Sequence, residues 1–271
     1  MNCSDFDIEL DLFRKKGRVD KFGPKTREHL DSCMGCWKKM VAARWHLARN
    51  TDELNELKDF LGKGFKFGCD ASWQLADDWG AKERDSDELI LDFYKKTQWY
   101  IYSLILWSAC GQRPSYAQIG LEILRNYSIK KIVDFGAGVG TDTFEFAAYD
   151  YQVIAFEINR YCNQFLKWKN KKLNAGVVIL NDDSRFNEDF DLLWSMDVIE
   201  HLKDPVSTLK PFLKRCKMFI YDTEFSGVSG GRHPFHFQHN ENELCDEWLN
   251  LGFVEIKRAN LHNKFNIFAR N

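Results

Sequence analysis

One short stretch combines two acidic side chains and a histidine at a spacing that suits catalysis. In D-V-I-E-H, Asp197, Glu200 and His201 lie at i, i+3 and i+4, so they share one face if the chain is helical there. His233 and His236 follow in a later loop. Two carboxylates and two imidazoles can hold a divalent ion, which lowers the pKa of a bound hydroxyl and orients its oxygen. The alternative is a pocket without metal, in which Glu200 and His201 only form hydrogen bonds or His201 acts alone as a general base.

A glycine-rich turn is the second stretch that could bind a ligand. The apolar residues of Ile132–Phe135 predict a short buried strand, Gly136–Gly140 predict a tight turn, and Thr141–Tyr149 predict a helix. Glycines let the backbone adopt positive φ and let a ligand lie against it, while free N–H groups of the next helix favour electron-rich ligand atoms. Dinucleotide-binding dehydrogenases have a similar G-x-G-x-x-G, and a purely structural turn is a further alternative. The glycines alone therefore do not identify a ligand.

Two acidic residues flank this turn. Asp134 lies at the end of the first predicted strand, where a carboxylate can meet an ammonium group. Glu157 ends the next apolar strand, Val153–Phe156, and an acidic residue about 20 positions after the glycines can accept hydrogen bonds from ribose hydroxyls. Together, Asp134, the glycines and Glu157 resemble the class I S-adenosylmethionine-dependent methyltransferases, whose first motif is an acidic residue followed by G-x-G-x-G.

This resemblance implies S-adenosylmethionine as cofactor and a set of residues that bind it. Around the first two strands these are Asp134, Phe135, Gly136, Ala137, Gly138, Gly140, Glu157 and Ile158. In the family, an acidic residue after the third strand (here 177–180) accepts the adenine amino group, which implies Asp182 or, as second choice, Asp183. The fourth predicted strand, Asp191–Ser195, begins with the aspartate of the family's pattern. The resemblance further implies that Ser195 and Met196 border the cofactor.

The D-V-I-E-H segment is similar to the D-V-L-E-H of the methyltransferase branch that includes ubiquinone-biosynthesis O-methyltransferases. This similarity implies catalytic roles for Glu200 and His201 and a small-molecule hydroxyl as methyl acceptor. Small-RNA 2′-O-methyltransferases have a similar E-x-x-E-H and a later histidine, and Asp197 differs from their first glutamate only by its shorter carboxylate. RNA ribose is therefore an alternative acceptor, and protein side chains are another. The absence of N-P-P-Y or D-P-P-Y after the fourth strand argues against methylation of base amino groups.

A cluster of metal-binding residue types lies near the start of the chain. His29, Cys33 and Cys36 are spaced so that all three point the same way from one helix start. Zinc takes four ligands, and Cys3 or, in its place, His46 can complete the set. The pattern resembles the zinc-binding anti-sigma domain, which implies a structural zinc ion. The alternative is a helix with two buried cysteines and a surface histidine.

Composition limits the classes of function. The formal net charge of −2 excludes a globally basic nucleic-acid-binding protein, although it permits a local basic patch. No segment reaches the roughly 18 apolar residues of a membrane span, and the first residues do not resemble a signal peptide, so we expect a cytoplasmic protein with no membrane partner. In that compartment the eight cysteines are not expected to form a disulfide framework.

The pattern of elements predicts an α/β fold. A Rossmann-like sheet of seven strands, six parallel and one antiparallel, is expected over 115–271, with the last strands at Phe253–Lys257 and Lys264–Ala269. An all-helical region is expected before it, as a zinc-binding module over 1–50 and a connecting or cap region over 51–114, including one long helix from Asp85 to Gly111. The alternative to an enzyme is a regulatory protein whose zinc module binds a protein partner while the sheet domain senses cofactor; the intact D-x-x-E-H favours the enzyme.

Overall fold

The computed structural model describes residues 1–18, 23–80, 86–181, 186–222, 236–237, 239–256 and 265–270. Within that part, one compact unit contains residues 1–80 and 97–115, and a second contains residues 86–96 and the chain from Tyr116 onward. The predicted division of the helical region at residue 50 stays a prediction. No helix of the described part has the length and apolar character needed to cross a membrane.

The second unit is built on a seven-stranded sheet. The strands are β1 (Lys131–Phe135), β2 (Gln152–Phe156), β3 (Val178–Leu180), β4 (Phe190–Met196), β5 (Cys216–Asp222), β6 (Val254–Glu255) and β7 (Asn266–Ala269). Their order is β3-β2-β1-β4-β5-β7-β6, and β7 runs antiparallel to both of its neighbours while the other six strands share one direction. This topology confirms the predicted sheet. The predicted strand ends at Lys257 and Lys264 lie outside the described residues.

The described residues also form twelve α-helices. In chain order they are α1 (Cys3–Lys16), α2 (Pro24–Ser32), α3 (Met34–Ala48), α4 (Asp52–Leu61), α5 (Ala71–Gly80), α6 (Asp87–Lys96), α7 (Trp99–Ala109), α8 (Tyr116–Leu124), α9 (Thr141–Ala148), α10 (Arg160–Leu173), α11 (Pro205–Leu213) and α12 (Glu241–Asn250). Helices α1 to α5 and α7 belong to the first unit, and α6 and α8 to α12 belong to the second.

The core of the sheet unit explains why β1, β2 and β4 are mainly apolar in sequence. Strands of a parallel sheet covered on both faces bury every side chain. Val133 and Leu193 are fully buried, and Phe135 stacks on Phe156 with ring centroids 5.0 Å apart while Phe212 of α11 packs edge-on against both. Each such buried side chain contributes about 1.5–3 kcal/mol through removal from water. This packing fixes the strand ends from which the candidate site is built.

One polar residue joins neighbouring strands at their amino ends. Asp191, near the start of β4, accepts hydrogen bonds from the backbone N–H groups of Lys130 and Lys131 at 2.9 and 3.0 Å. Its other carboxylate oxygen is 2.7 Å from the ammonium group of Lys217 on β5. Asp191 therefore ties three adjacent strands together at their amino ends, away from the candidate site.

The prediction of a single long helix from Asp85 to Gly111 is wrong. The structure has two helices, α6 and α7, separated at Thr97 and Gln98. The buried Thr97 hydroxyl lies 3.4 Å from a carboxylate oxygen of Asp78 and accepts a hydrogen bond from the Trp99 N–H. A threonine side chain that bonds in this way competes with the helical backbone, which accounts for the break. Asp85 itself lies outside the described residues.

Candidate active site

The candidate site lies at the carboxyl edge of the sheet. Because β1, β2 and β4 are parallel neighbours, their final residues meet at one edge, and Phe135 pairs with Phe156 in the register. Open α/β sheets bind ligands in the crevice at this edge. The residues predicted from the glycine turn, from the end of β2 and from the end of β4 are therefore brought to the same side of the sheet.

The glycine turn adopts the backbone conformation that the sequence predicted. Gly136, Gly138 and Gly140 have φ of 77°, 54° and 78°, in the left-handed region that L side chains rarely occupy. A Cβ on Gly136 would lie 2.4 Å from Cγ2 of Val198, in the turn after β4, and one on Gly140 would lie 2.4 Å from Cδ2 of Leu166. Gly136 and Gly140 are thus required both by conformation and by close packing.

Glu157, immediately after β2, closes this turn. Its carboxylate is buried and accepts hydrogen bonds from the backbone N–H groups of Gly138 at 2.7 Å and Asn159 at 2.6 Å. Burial raises the pKa of Glu157 to about 7, against the lowering effect of these two donors and of the Ile158 backbone. A carboxylate has about four acceptor positions, so the two oxygens retain capacity for a ligand's hydroxyl groups.

Asp134, near the end of β1, is held by a residue that the sequence reasoning missed. The hydroxyl of Thr143, in the first turn of α9, donates a hydrogen bond to Oδ2 of Asp134, and both side chains are buried. This contact fixes the carboxylate beside the glycine turn. The only signal in the sequence was the position of Thr143 in the helix that follows the glycines, and that position does not identify a contact.

The remaining predicted cofactor residues are partly described. Ala137 donates its N–H to the Phe156 carbonyl at 3.1 Å, and Ile158 packs against the main core of the sheet. Ser195 and Met196 are buried at the end of β4, beside β5. The Ser195 hydroxyl has no hydrogen-bond partner among the described residues, so a ligand can supply one. The predicted adenine contacts, Asp182 and Asp183, lie outside the described residues.

The predicted helical face at 197–201 is corrected by the structure. Asp197 has a φ of 53°, and a short 3-10 turn over Ile199–His201 follows. Because of this bend, Asp197 is directed elsewhere: the buried hydroxyl of Tyr116 hydrogen-bonds to Asp197 and to Asp222, and burial and these two carboxylates raise the pKa of Tyr116 well above its usual range. Asp197 is therefore not part of the potential ligand group formed by its neighbours in the described structure.

That group consists of Glu200, His201 and His236, whose potential ligand atoms all lie within 4.8 Å of one another. Glu200 is buried, His201 is half-buried and His236 is exposed. The two imidazole rings meet edge to face with centroids 4.6 Å apart, and the Phe237 N–H donates to the Glu200 carbonyl at 2.6 Å. His236 thus lies near the turn after β4, while His233 lies outside the described residues.

Tyr94, on α6, is the second residue that the sequence reasoning missed. Its hydroxyl lies 3.2 Å from Nδ1 of His201, and the Asn159 side-chain amide donates to the Tyr94 carbonyl at 2.6 Å. Burial, followed by the charge of Glu200, raises the pKa of Tyr94 well above its usual range, so the phenol stays protonated. Its contact with Nδ1 fixes the orientation of the His201 ring. The sequence predicted that Tyr94 lies in a helix before the sheet. Its contact with His201 joins residues 107 positions apart, and only the folded structure shows such a contact.

The predicted metal-binding cluster near the start of the chain is also brought together. Potential ligand atoms of Cys3, His29, Cys33 and Cys36 lie within 4.8 Å of one another, and His46 is not in this group of described residues. The expectation that three of them extend from one continuous helix is wrong. Cys33 ends α2 and precedes α3 with φ of −119° and ψ of 94°, so two helices meet at this residue.

A family profile described as a methyltransferase domain matches residues 112–248, just over half of the 271-residue chain. No curated protein matches the chain. Among solved structures, magnesium protoporphyrin IX methyltransferase from Synechocystis, with S-adenosylmethionine bound, is similar over 82% of this chain and 98% of its own, at 12% identity and a TM-score of 0.48. A Clostridium acetobutylicum S-adenosylmethionine-dependent methyltransferase is similar over 57% and 90%, at 13% identity and a TM-score of 0.47. Haemonchus contortus phosphoethanolamine N-methyltransferase 2 is similar over 61% of this chain and 44% of its own, at 19% identity and a TM-score of 0.48.

Proposed function

Because this chain belongs to the methyltransferase-domain family, we propose that its sheet unit transfers the methyl group of S-adenosylmethionine to a hydroxyl of a small molecule. One observation carries the proposal. The glycine turn, with the buried Asp134 and Glu157, contacts through Gly136 the same turn after β4 that carries Glu200 and His201. A methyl donor bound at the first set would therefore lie beside groups suited to remove a proton.

In this proposal the cofactor is held by contacts of known chemical type. Asp134 accepts from the ammonium group and Glu157 from the ribose hydroxyls, while Asp182 or Asp183 accepts from the adenine amino group. The glycines allow the backbone to approach the cofactor without Cβ atoms. The other residues assigned to the border of the cofactor are Phe135, Ala137, Ile158, Ser195 and Met196.

His201 is the proposed general base. In this proposal Nδ1–H of the ring donates to the Tyr94 oxygen, so the ring's lone pair is on Nε2, which is the atom assigned to take the proton of the acceptor hydroxyl. As the acceptor oxygen attacks the methyl carbon, the carbon–sulfur bond breaks, its electron pair stays on sulfur, and the hydroxyl proton moves to Nε2. The buried Glu200 carboxylate stabilises the resulting imidazolium by its charge. The products are the methyl ether and S-adenosylhomocysteine.

A second mechanism is supported by the same side chains. Glu200, His201 and His236 offer one carboxylate and two imidazoles within 4.8 Å, which is a donor set for a divalent ion. Such an ion would supply Lewis-acid activation of the acceptor hydroxyl. In that case His201 would hold the metal rather than take the proton, and Asp197, bonded to Tyr116, would not contribute.

The acceptor class is tested by incubating the full chain with methyl-labelled S-adenosylmethionine and separate extracts of metabolites, RNA and protein. We expect a labelled product in the metabolite extract only. Label in RNA or protein instead would contradict the small-molecule acceptor. Cofactor binding without any labelled product would favour the regulatory alternative, in which the sheet unit senses cofactor.

The role of Glu157 predicts a weaker cofactor complex in Glu157→Ala. Two ribose hydroxyls would lose their acceptor in a buried site, at a cost of about 1–3 kcal/mol. The dissociation constant for S-adenosylhomocysteine should therefore increase about 5- to 150-fold. Wild-type affinity should also fall as the pH is lowered through about 7, because protonation of Glu157 removes acceptor capacity. Calorimetry across this pH range measures both effects.

The matched control is Glu188→Ala, which removes a carboxylate paired with Lys131 at the amino end of β1. It should leave the affinity and its pH dependence unchanged. Equal affinity of Glu157→Ala and the wild type would refute the assignment of this cofactor site.

The contact of Tyr94 with His201 predicts a specific kinetic change in Tyr94→Phe. Loss of one hydrogen bond worth about 0.5–1.5 kcal/mol should lower kcat about 2- to 13-fold. Because the Tyr94 oxygen stabilises the protonated ring in this arrangement, the acidic limb of the pH–rate profile should move to lower pH. Affinity for S-adenosylhomocysteine should not change. Tyr149→Phe, at an exposed tyrosine after α9, is the control; an unmoved pH profile in Tyr94→Phe would show that Tyr94 only packs.

A further inference from the structure

Four side chains of the first unit converge on one point from three helices. Cys3 begins α1, His29 lies on α2, Cys33 lies between α2 and α3, and Cys36 lies in the first turn of α3. None of these cysteines is in a disulfide. All four residues belong to the first compact unit, whereas the sheet belongs to the second.

Two distances within the group are close to the edges of a metal tetrahedron, and all potential ligand atoms lie within 4.8 Å of one another. The sulfur atoms of Cys3 and Cys33 are 3.8 Å apart, and Nε2 of His29 is 3.3 Å from the sulfur of Cys36. With zinc–sulfur bonds of about 2.3 Å and zinc–nitrogen bonds of about 2.0–2.1 Å, tetrahedral geometry requires about 3.8 Å between two sulfurs and about 3.6 Å between sulfur and nitrogen. The side chains are therefore already arranged for one central ion.

We propose that Cys3, His29, Cys33 and Cys36 hold a structural zinc ion. Three thiolates and an imidazole in a tetrahedron form a ligand set that favours zinc over the oxygen-preferring cations. Four protein ligands fill the coordination sphere and leave no position for substrate, so the ion has a structural role rather than a catalytic one.

The surroundings of the group support such a site. Cys36 is buried in a hydrophobic cluster with Phe6, Trp37 and Met40, and the ring of Phe6 packs on His29 with centroids 6.2 Å apart. Cys3 is exposed and Cys33 is half-buried, so an ion can reach the site from solvent. One side of the site is thus fixed by packing and the other is open.

An ion pair connects two of the helices that carry these residues. The Lys39 ammonium group is 2.7 Å from a carboxylate oxygen of Asp7. The hydrogen bond with Asp7 and, to a smaller extent, the charges of Cys36 and Cys3 raise the pKa of Lys39. This ion pair joins α1 to α3, two of the helices that carry the proposed ligands.

The site also explains how short helices hold together. Helix α2 has nine residues and no side-chain cap, and isolated helices shorter than about 12–15 residues are marginal in water. An ion bound by residues on α1, α2 and α3 would connect all three. Metal binding should therefore be coupled to the folding of this part of the chain.

Elemental analysis of the full chain, purified without added metal, tests the proposal. We expect about one zinc per chain, as a closed four-ligand site requires, and loss of that zinc in the Cys33→Ser, Cys36→Ser double variant. Cys69→Ser is the matched control, since Cys69 is a half-buried cysteine of the same unit outside the group, and it should retain the zinc. Wild-type zinc content near zero, or undiminished zinc in the double variant, would overturn the proposal.

Because the double variant is expected to fold poorly, thiol alkylation of the wild type supplies a second measurement. Cys3 and Cys33 are accessible, so burial does not protect them. We expect both to react slowly as purified and at least tenfold faster after treatment with a strong chelator, with the rate at Cys69 unchanged. Equal rates at Cys3 and Cys33 before and after chelation would show that no metal is bound there.

Discussion

Replacing His201 by alanine should lower the methyl-transfer rate by about 10²–10⁴-fold, the contribution typical of a positioned general base. The expectation follows from the proposed role of Nε2, with the contact of Nδ1 with the Tyr94 hydroxyl at 3.2 Å holding the ring in place. The residues assigned to the cofactor lie at β1, β2 and the glycine turn, so affinity for S-adenosylhomocysteine should stay within about twofold of wild type. Turnover and calorimetry on the same preparation measure the two quantities.

His46→Ala is a suitable control, because His46 is an exposed histidine on α3 of the other unit. It should leave the rate unchanged. A His201→Ala enzyme as active as wild type would refute the assigned base. A loss of rate explained entirely by weaker cofactor binding would refute it equally.

Chelation separates the two mechanisms for His201. If His201 acts as the base, turnover should continue without added divalent ions, and Glu200→Ala should retain more activity than His201→Ala. If Glu200, His201 and His236 hold an ion, turnover should stop on chelation and in both variants, with cofactor affinity retained. The zinc content of the protein has to be measured in the same sample, so that loss of an ion from the first unit is not mistaken for loss from the active site.

The parts of the fold that the sequence predicted are those set by local pattern and burial. Strands β1, β2, β4 and β5 are interior strands whose side chains are largely buried, so each appears as a mainly apolar run. The glycine turn was predictable for a related reason. Positive φ at Gly136 and Gly140 and the close approach of Val198 and Leu166 leave glycine as the residue that fits.

The parts that could not be predicted depend on contacts between distant segments. The spacing of Asp197, Glu200 and His201 indicates one face only if the backbone is helical, and the positive φ at Asp197 redirects its carboxylate toward Tyr116. Cys33 shows the same limit, because its spacing predicted convergence with His29 but not the bend by which the structure achieves it. Tyr94 joins the site through tertiary packing that periodicity does not encode.

The Gly136→Ala substitution should destabilise the sheet unit and remove cofactor binding. An alanine at φ of 77° is strained by about 1–2 kcal/mol. Its Cβ would also lie 2.4 Å from Cγ2 and 3.0 Å from Cγ1 of Val198, and overpacking of this kind typically costs about 1–3 kcal/mol more. Gly176→Ala is the matched control, since Gly176 has φ of 70° but open space around its Cβ position, so only the conformational strain should appear. Denaturant unfolding measures the difference between the two variants.

A double-mutant cycle tests whether that difference arises at Val198. The Val198→Ala substitution removes the two methyl groups that the new Cβ would meet and leaves the Val198 Cβ 3.3 Å away, a tight but tolerable contact. If the clash is the cause, Val198→Ala should destabilise the wild type but destabilise Gly136→Ala much less, with a coupling free energy of about 1–3 kcal/mol. Part of the S-adenosylhomocysteine binding should return in the double variant, because the turn can then regain its conformation. Additive effects of the two substitutions would mean that the glycine turn and the turn after β4 do not depend on this contact, and the proposed link between cofactor and base would lose its structural basis.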